Sequence, residues 1–524
     1  MKHLQGTTVL VLGLGESGLA MARWAARCGA VVRVWDSREA APNAAALAEH
    51  VPAAQLLRGA LDADALSGVR LVLKSPGLSP HDPQIAAPLD SAAESGVLVQ
   101  GELELFAQAL ADLKAERGYA PKVIAITGTN GKTTTTAMTA LLIERAGKRV
   151  AMAGNIGPTM LQTLSDALDA AGPHPNPLPE GEGALPEVWV LELSSFQLDG
   201  AKGFEPDAAT VLNITQDHLD WHGAMPAYVA AKARVFGQHA VMVINRDDPQ
   251  VEKMVPEAIP AKGRNAKPIE REVLRFGLDA PRRAGDFGLI VENDMAWLVR
   301  ALEADETIKR GRASKTGEAP EVELHVQRLM PADALRVRGR HNAANALAAL
   351  ALASAIGCPL AALLHGLRDY TGEPHRVEFI TTLDGVDAFD DSKGTNVGAT
   401  VAALYGLGAD KAPSKLVVIL GGDGKGQDFT PLAEGVRRHA RAVATIGRDA
   451  HRIEQALAGT GVRVQHHDSL EAATRWCFEH AQSGDAVLLS PACASLDMFR
   501  NYTHRAEVFV AEVQALAATR GGVL

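Results

Sequence analysis

The chain is predicted to be an α/β protein of several domains, each built on a largely parallel sheet. Three observations carry this. The 524 residues exceed what a single hydrophobic core organises, at about 150 residues per domain. Short β-branched runs alternate with alanine-rich helical stretches, the pattern of βαβ units. The alternation also restarts near residues 100 and 373, so three units are expected, over 1–100, 101–372 and 373–524.

In the first unit VLVLGLG, VVRVWD and VRLVLKSPG read as strands. KVIAITG, RVAMAG, VWVLELSS and AATVLNIT mark the second, and KLVVILGG, AVATIGRD and DAVLLSPA the third. Residues 172–187, GPHPNPLPEGEGALPE, and the polar stretch 303–320 are expected to be surface excursions, because Pro and Gly weaken helix and ladder bonding while loops tolerate insertion cheaply. A formal charge of -10 argues against a coat for nucleic acid or anionic membrane, so no nucleic-acid partner is expected. The N-terminus runs straight into a strand with no apolar signal core, and no apolar run is long enough to span a bilayer. A cytoplasmic protein without membrane insertion follows. Four cysteines without CxxC spacing indicate neither a disulfide framework nor a cysteine zinc site.

Two glycine loops carry chemistry. Gly13-Leu-Gly15-Glu-Ser-Gly18 follows a strand, and Asp36 ends the next one, which fits a dinucleotide fingerprint. Taken alone the segment favours NAD; a bare strand-to-helix turn and the diphosphate of another nucleotide such as UDP remain alternatives. The second loop, AITGTNGKTTTT, is a shortened Walker A loop with Ile126 where the first glycine belongs. Backbone N–H groups of Gly128, Thr129, Asn130 and Gly131 can still cradle phosphates, Lys132 can neutralise them, and Thr133 can ligate magnesium. Glu192 ends a later strand, where such enzymes keep a metal carboxylate, and without a partner it would be costly to bury. In NITQDHLDWHG, His218 and His222 are spaced i, i+4, but no Glu follows His218, so a zinc protease site fails. His218 is assigned to a second magnesium or its water, His222 to packing. Lys232 lies among Ala, Val and Phe, where a lysine ordinarily snorkels to water.

GTNGKTTT, AGNIG, LELSSFQL, NITQDHLD, AAKARVF, HNAANALAALA, EPHRVE, DDSKGTN, GGDGKGQDF and SPACASLDMF occur in this order, and the whole resembles the Mur ligases of peptidoglycan synthesis from about residue 8 to 510. The resemblance implies an N-terminal Rossmann-like unit for UDP, a central P-loop ATPase and a C-terminal Rossmann-like unit for the amino acid. It implies an ATP-dependent ligase acting through an acyl phosphate, with UDP-N-acetylmuramoyl-L-alanine and D-glutamate as substrates; another amino acid, or a polyglutamate tail as in folylpolyglutamate-type ligases, is the alternative. Gly13, Gly15 and Gly18 would then hold the UDP diphosphate, with Asp36, Ser37 and Arg38 toward uridine and Ser75, Pro76 and Gly77 in the same pocket. Asn155 would contact the UDP-sugar. Glu192 and His218 would organise two magnesium ions with Thr133, and Lys232 would be carbamylated. Asn345, Arg376 and Asp391 would hold ATP with the P-loop. Lys393, Lys425, Ser495, Leu496 and Tyr502 would line the D-glutamate end, Tyr502 at a position that need only be aromatic. A monomer is expected.

Overall fold

The structure, a computed structural model, describes residues 3–171, 185–258, 270–293, 295–304, 324–337, 339–411 and 414–519. Residues 172–184 and 305–320 of the two expected excursions lie outside them. Among the described residues four sheets form, and three of them carry the site.

The first is all parallel, in spatial order Gln55–Leu57, Val31–Trp35, Thr8–Leu12, Leu71–Lys74, Leu98–Gln100. The order reverses between Thr8–Leu12 and Leu71–Lys74, so a crevice opens at their C-terminal ends, where Gly13 and Ser75 stand. Its second neighbour, again all parallel, runs Val273–Phe276, Val241–Asn245, Ala208–Val211, Lys122–Thr127, Val188–Glu192, Val150–Gly154. The P-loop strand Lys122–Thr127 is central and buried from Val123 onward, consistent with its unbroken apolar run. In the third, Glu378–Leu383 pairs antiparallel with Val386–Asp390, and Ala486–Leu489, Leu416–Gly421, Ala440–Ile446 and Arg463–His466 continue in parallel. The mostly parallel α/β expectation holds for all three.

The fourth sheet was not anticipated. Phe287–Glu292, Met295–Glu303 and Leu324–Pro331 form an antiparallel meander whose inner side packs Phe287, Leu289, Leu298 and Met330 into the core behind the P-loop helix.

Helices decide how the units meet. Glu16–Arg27 follows the first glycine loop and lies on Met160–Ala171 of the central unit, with Arg23 bonded to Gln162 (2.5 Å) and Arg27 to Asp169 (2.6 Å). Trp24, Phe106, Leu161 and Trp189 share one apolar core there, so the first two units are packed together. Helix Glu102–Arg117 joins them. Acids in its first turn and bases in its last suit the helix dipole, and Gly118, at φ 70°, ends it. The alanine-rich helix Arg340–Ala355 is buried over most of its surface against the P-loop helix Lys132–Arg145. Small side chains allow that close approach and bring Asn342 and Asn345 to the P-loop.

Candidate active site

The shortened loop keeps its shape because residue type and tertiary contacts agree. Gly131 caps the helix Lys132–Arg145 at φ 83°, and a Cβ there would stand 2.6 Å from Asn345 Oδ1. The segment after strand Ala208–Val211 braces the loop. Asn213 Oδ1 accepts from Asn130 N (2.9 Å), Asn213 Nδ2 donates to Asn130 O (3.0 Å), and Thr215 N donates to Thr129 Oγ1 (2.9 Å). Lys132 Nζ donates to Gly128 O (3.0 Å) and Thr129 O (2.8 Å), and burial lowers its pKa.

Lys232 does not snorkel. It is 2% exposed, its Nζ donates to Gly128 O (2.9 Å), and Tyr228 lies beneath it at 4.8 Å. Helix Met225–Ala233 points the side chain inward, so burial, reinforced by the charge of Lys132, pulls its pKa well below the ordinary lysine value.

Glu192, 3% exposed, has a partner that sequence reasoning did not supply: Asn155 Nδ2 donates to its Oε1 at 2.9 Å. A buried strand-end glutamate therefore does not by itself demand a metal. Oε2 remains for one. His218 caps the short helix Leu219–His222 at φ 52°, against Phe196. Burial, with Lys425, Lys132 and Lys232 nearby, holds its pKa down at about 4 although Asp217 opposes the shift, so the imidazole is neutral. Thr133 Oγ1 accepts from Arg376 (2.8 Å). Among the described residues, the three metal-binding side chains that do converge are not these but His375, Glu378 and Asp390, and there His375 Nδ1 already pairs with Asp390 Oδ2 at 2.7 Å. His222 is bonded to Ser195 Oγ (2.9 Å) and packs among aromatic rings.

The C-terminal unit reaches across to the P-loop. Besides Arg376, Asn396 Nδ2 donates to Asn130 Oδ1 (3.0 Å) and lies 3.5 Å from Asp217 Oδ2. Asn130, Gly131, Asn345, Arg376 and Asp391 thereby line one narrow cavity of about 70 Å³. Asp391 accepts from Ser490 Oγ (2.6 Å), and its burial raises its pKa to about 7. Asp217 and Asn396 escaped sequence reasoning. Both stood inside quoted motifs, QDH and KGTN, but nothing local set them apart from loop polarity.

At the first crevice Asp36 Oδ2 accepts from Leu14 N (2.6 Å), and the guanidinium of Arg38 forks onto both oxygens (2.8 Å each). These bonds, Arg38 foremost, lower its pKa to about 2. The carboxylate is saturated by protein donors, whereas a dinucleotide ribose calls for an open acceptor there. Gly13, Gly15, Ser75 and Gly77 share a cavity of about 360 Å³ with Asp36, Ser37 and Arg38; a second, of about 690 Å³, continues from those three toward Arg58 and Gln84. Gly18 admits no side chain, since a Cβ would lie 1.9 Å from Gly13 O.

Lys393, Lys425, Ser495 and Leu496 stand on loops beyond the C-terminal ends of three adjacent strands, and Tyr502 opens the last helix, Tyr502–Thr519. Asp423 and Ala494 exchange backbone bonds (3.0 and 2.8 Å), tying the Lys425 loop to that of Ser495 and Leu496. Buried Arg505 bonds Ser392 and the Cys493 carbonyl, and Lys393 lies 5.5 Å from the Tyr502 ring. Burial, then the charge of Arg376, lowers the Lys393 pKa to about 8. Leu496 is 73% exposed.

The chain matches three family models: the Mur ligase MurD-like N-terminal domain over residues 7–101, the Mur ligase middle domain over 126–280 and the Mur ligase glutamate ligase domain over 375–493. It is 60% identical to the UDP-N-acetylmuramoylalanine--D-glutamate ligase of Albidiferax ferrireducens over 99% of this chain and 98% of that one. To the protein of the same name from Burkholderia mallei it is 58% identical, with 99% of each covered. Among solved structures it resembles UDP-N-acetylmuramate-alanine ligase of Thermotoga maritima (19% identity, 97% and 99% covered, TM-score 0.53) and MurF ligase of the same organism in complex with ADP (17%, 98% and 97%, 0.55), a likeness of fold.

Proposed function

This chain belongs to the Mur ligase family, and on that premise we propose how it works as an ATP-dependent ligase adding D-glutamate to UDP-N-acetylmuramoyl-L-alanine in peptidoglycan synthesis. The observation that carries this function is near-full-length identity of 58 to 60% to relatives bearing that name. We propose that it acts as a monomer in the cytoplasm, where ATP and the nucleotide precursor are at hand; no helix among the described residues is long and apolar enough to cross a membrane.

A carboxylate is a poor electrophile because its leaving group would be oxide. The alanyl carboxylate must first take the γ-phosphoryl group of ATP and become an acyl phosphate; the amine of D-glutamate then attacks, and phosphate leaves. Lys132 and the N–H groups of the loop 128–131 stabilise charge on the transferring group. Arg376, arriving from the C-terminal unit beside Thr133, adds a second cation at the same place. Asn345 and Asp391 hold the nucleoside end. Their cavity, about 70 Å³, is far below the roughly 300 Å³ or more of ordinary ligand pockets, so it must widen to admit the nucleotide.

The donors present suit magnesium. Glu192 retains one carboxylate oxygen, His218 is neutral, and Thr133 offers a hydroxyl. Two ions there would supply further charge neutralisation at the phosphates. Lys232 suits carbamylation, since a buried amine of depressed pKa is the form that adds carbon dioxide, and the resulting anion would relieve the crowding of positive charge beside Lys132. The UDP diphosphate lies at Gly13 to Gly18 with uridine toward Asp36, Ser37 and Arg38, Ser75 and Gly77 close the same pocket, and Asn155 meets the sugar side. Lys393 and Lys425 take the two carboxylates of D-glutamate, with Ser495, Leu496 and Tyr502 shaping the rest.

The test is phosphate release from ATP. It should depend jointly on UDP-N-acetylmuramoyl-L-alanine and D-glutamate and fail with L-glutamate, L-alanine or a diamino acid; release with another amino acid alone would transfer the chain to a different specificity.

A further inference from the structure

Lys74 is the last residue of strand Leu71–Lys74, on one side of the crevice where the first sheet reverses its order. It pairs in register with Leu12, so its neighbour across the crevice is Gly13 at the head of the diphosphate loop. Its side chain is partly buried and lines a cavity of about 500 Å³ between the first and central units, together with Pro76, Gln100, Phe196 and Gln197. Nζ donates one bond, to Leu78 O at 2.7 Å, and lies 5.7 Å from the ring centre of Trp221, three residues beyond His218. Thus it stands between the glycine-loop crevice of the first unit and the Trp221 side of the central unit.

This cation has no close counter-charge among the described residues. Among the described residues no carboxylate comes within 4.0 Å of it. The two that act on it from farther away are engaged: Asp199 pairs with Arg234 (3.0 Å), and Glu104 accepts from Gly101 N (2.9 Å). Burial lowers the Lys74 pKa to about 8, which leaves the ammonium mostly protonated at neutral pH. An ammonium carries three donors, and only one is used. The indole N–H of Trp221 is a second buried donor in that corner without an acceptor. A partly buried ammonium that faces a cavity with two unused donors can receive an anionic oxygen in a charge-assisted hydrogen bond.

We infer that Lys74 is a substrate-binding residue that receives an anionic oxygen of the UDP-sugar in the cleft between the first and central units. The inference rests on the ligase reading above and adds to it a contact from the first unit, distinct from the glycine loop. Two parts of that substrate offer the oxygen: the sugar-proximal phosphate and the alanyl carboxylate.

Equilibrium binding to the full chain separates them. UDP, UDP-N-acetylglucosamine and UDP-N-acetylmuramoyl-L-alanine are titrated into wild type, Lys74→Met and Lys74→Arg, with ATP as the control ligand. Lys74→Met should weaken the muramoyl substrate roughly ten- to a hundredfold, the scale of one charge-assisted hydrogen bond, and Lys74→Arg should recover part of the loss. A phosphate contact weakens all three uridine ligands; a carboxylate contact weakens only the muramoyl one. Wild-type affinity for the muramoyl substrate in Lys74→Met, or equal weakening of ATP, would overturn the assignment. If Lys74→Met does not fold, Lys74→Gln is used with the same criteria. Failure of wild type to bind the muramoyl substrate at all would instead strike the ligase reading.

Discussion

Replacing Gly131 with alanine tests whether the P-loop and Asn345 form one nucleotide site. Gly131 sits at φ 83°, where an L-residue pays about 1–2 kcal/mol of backbone strain. Its new Cβ would also lie 2.6 Å from Asn345 Oδ1. Asn345 is only 8% exposed and is bonded to Asn342 (3.2 Å), so it can yield only by giving up that bond, at about 1 kcal/mol. The total is about 2–3 kcal/mol, of which the Asn345 part, about 1 kcal/mol, falls on nucleotide binding and corresponds to roughly a fivefold rise in KM for ATP. Gly118→Ala is the matched control. Gly118 has φ 70° but nothing within 4 Å of its virtual Cβ, so it carries the backbone strain without the clash. Steady-state kinetics on both variants, varying each substrate in turn, should show KM for ATP raised in Gly131→Ala alone, with the other two substrates nearly unaffected. Equal ATP effects in the two variants, or none in Gly131→Ala, would refute the reasoning.

Lys232→Ala should be nearly inactive yet partly restored by a small carboxylic acid that fills the anionic position, whereas Lys232→Arg should not respond; full activity of Lys232→Ala without additive rules out a functional carbamate. Lys393→Ala should raise KM for D-glutamate at least about tenfold while that for ATP stays within about twofold, the loss expected of one charge-assisted contact, and an equal effect on both would point to a structural role. Asp36→Asn should cost about 1–2 kcal/mol at neutral pH, allowing for the exposure of Arg38. The folded Asp36 carboxyl titrates at about 2, below its unfolded value of about 3.9, so its stabilisation is complete above about pH 4 and is lost as pH falls toward 2. The difference in Tm between Asp36→Asn and wild type should therefore be flat from pH 7 to 5 and shrink below 4; a gap that widens on acidification would contradict this.

Much of the scaffold was legible because it is local. A glycine needed at φ 83° beside Lys132, or an apolar run such as VIAIT between polar ends, states its backbone conformation through residue type alone. Ten motifs in order also carried the family. The antiparallel meander of Phe287–Glu292, Met295–Glu303 and Leu324–Pro331 was missed because its strands mix Arg, Glu and Gln with apolar residues, and pairing with one another is what makes them strands. Burial was harder still. Lys232 on a short helix reads as a snorkelling lysine until strand Lys122–Thr127 closes over it and Gly128 O accepts its hydrogen bond.

The sequence by itself determined the kind of units and the two glycine loops, since these follow from what each residue permits its own backbone to do. Only the tertiary structure decided that Glu192 leans on Asn155, that Arg376 and Asn396 reach Thr133 and Asn130, and that no carboxylate among the described residues comes within 4.0 Å of Lys74. The last two P-loop contacts join residues 243 and 266 positions apart. Such partners are chosen by how whole units pack, and desolvation, which sets the state of every buried charge here, exists only once they have.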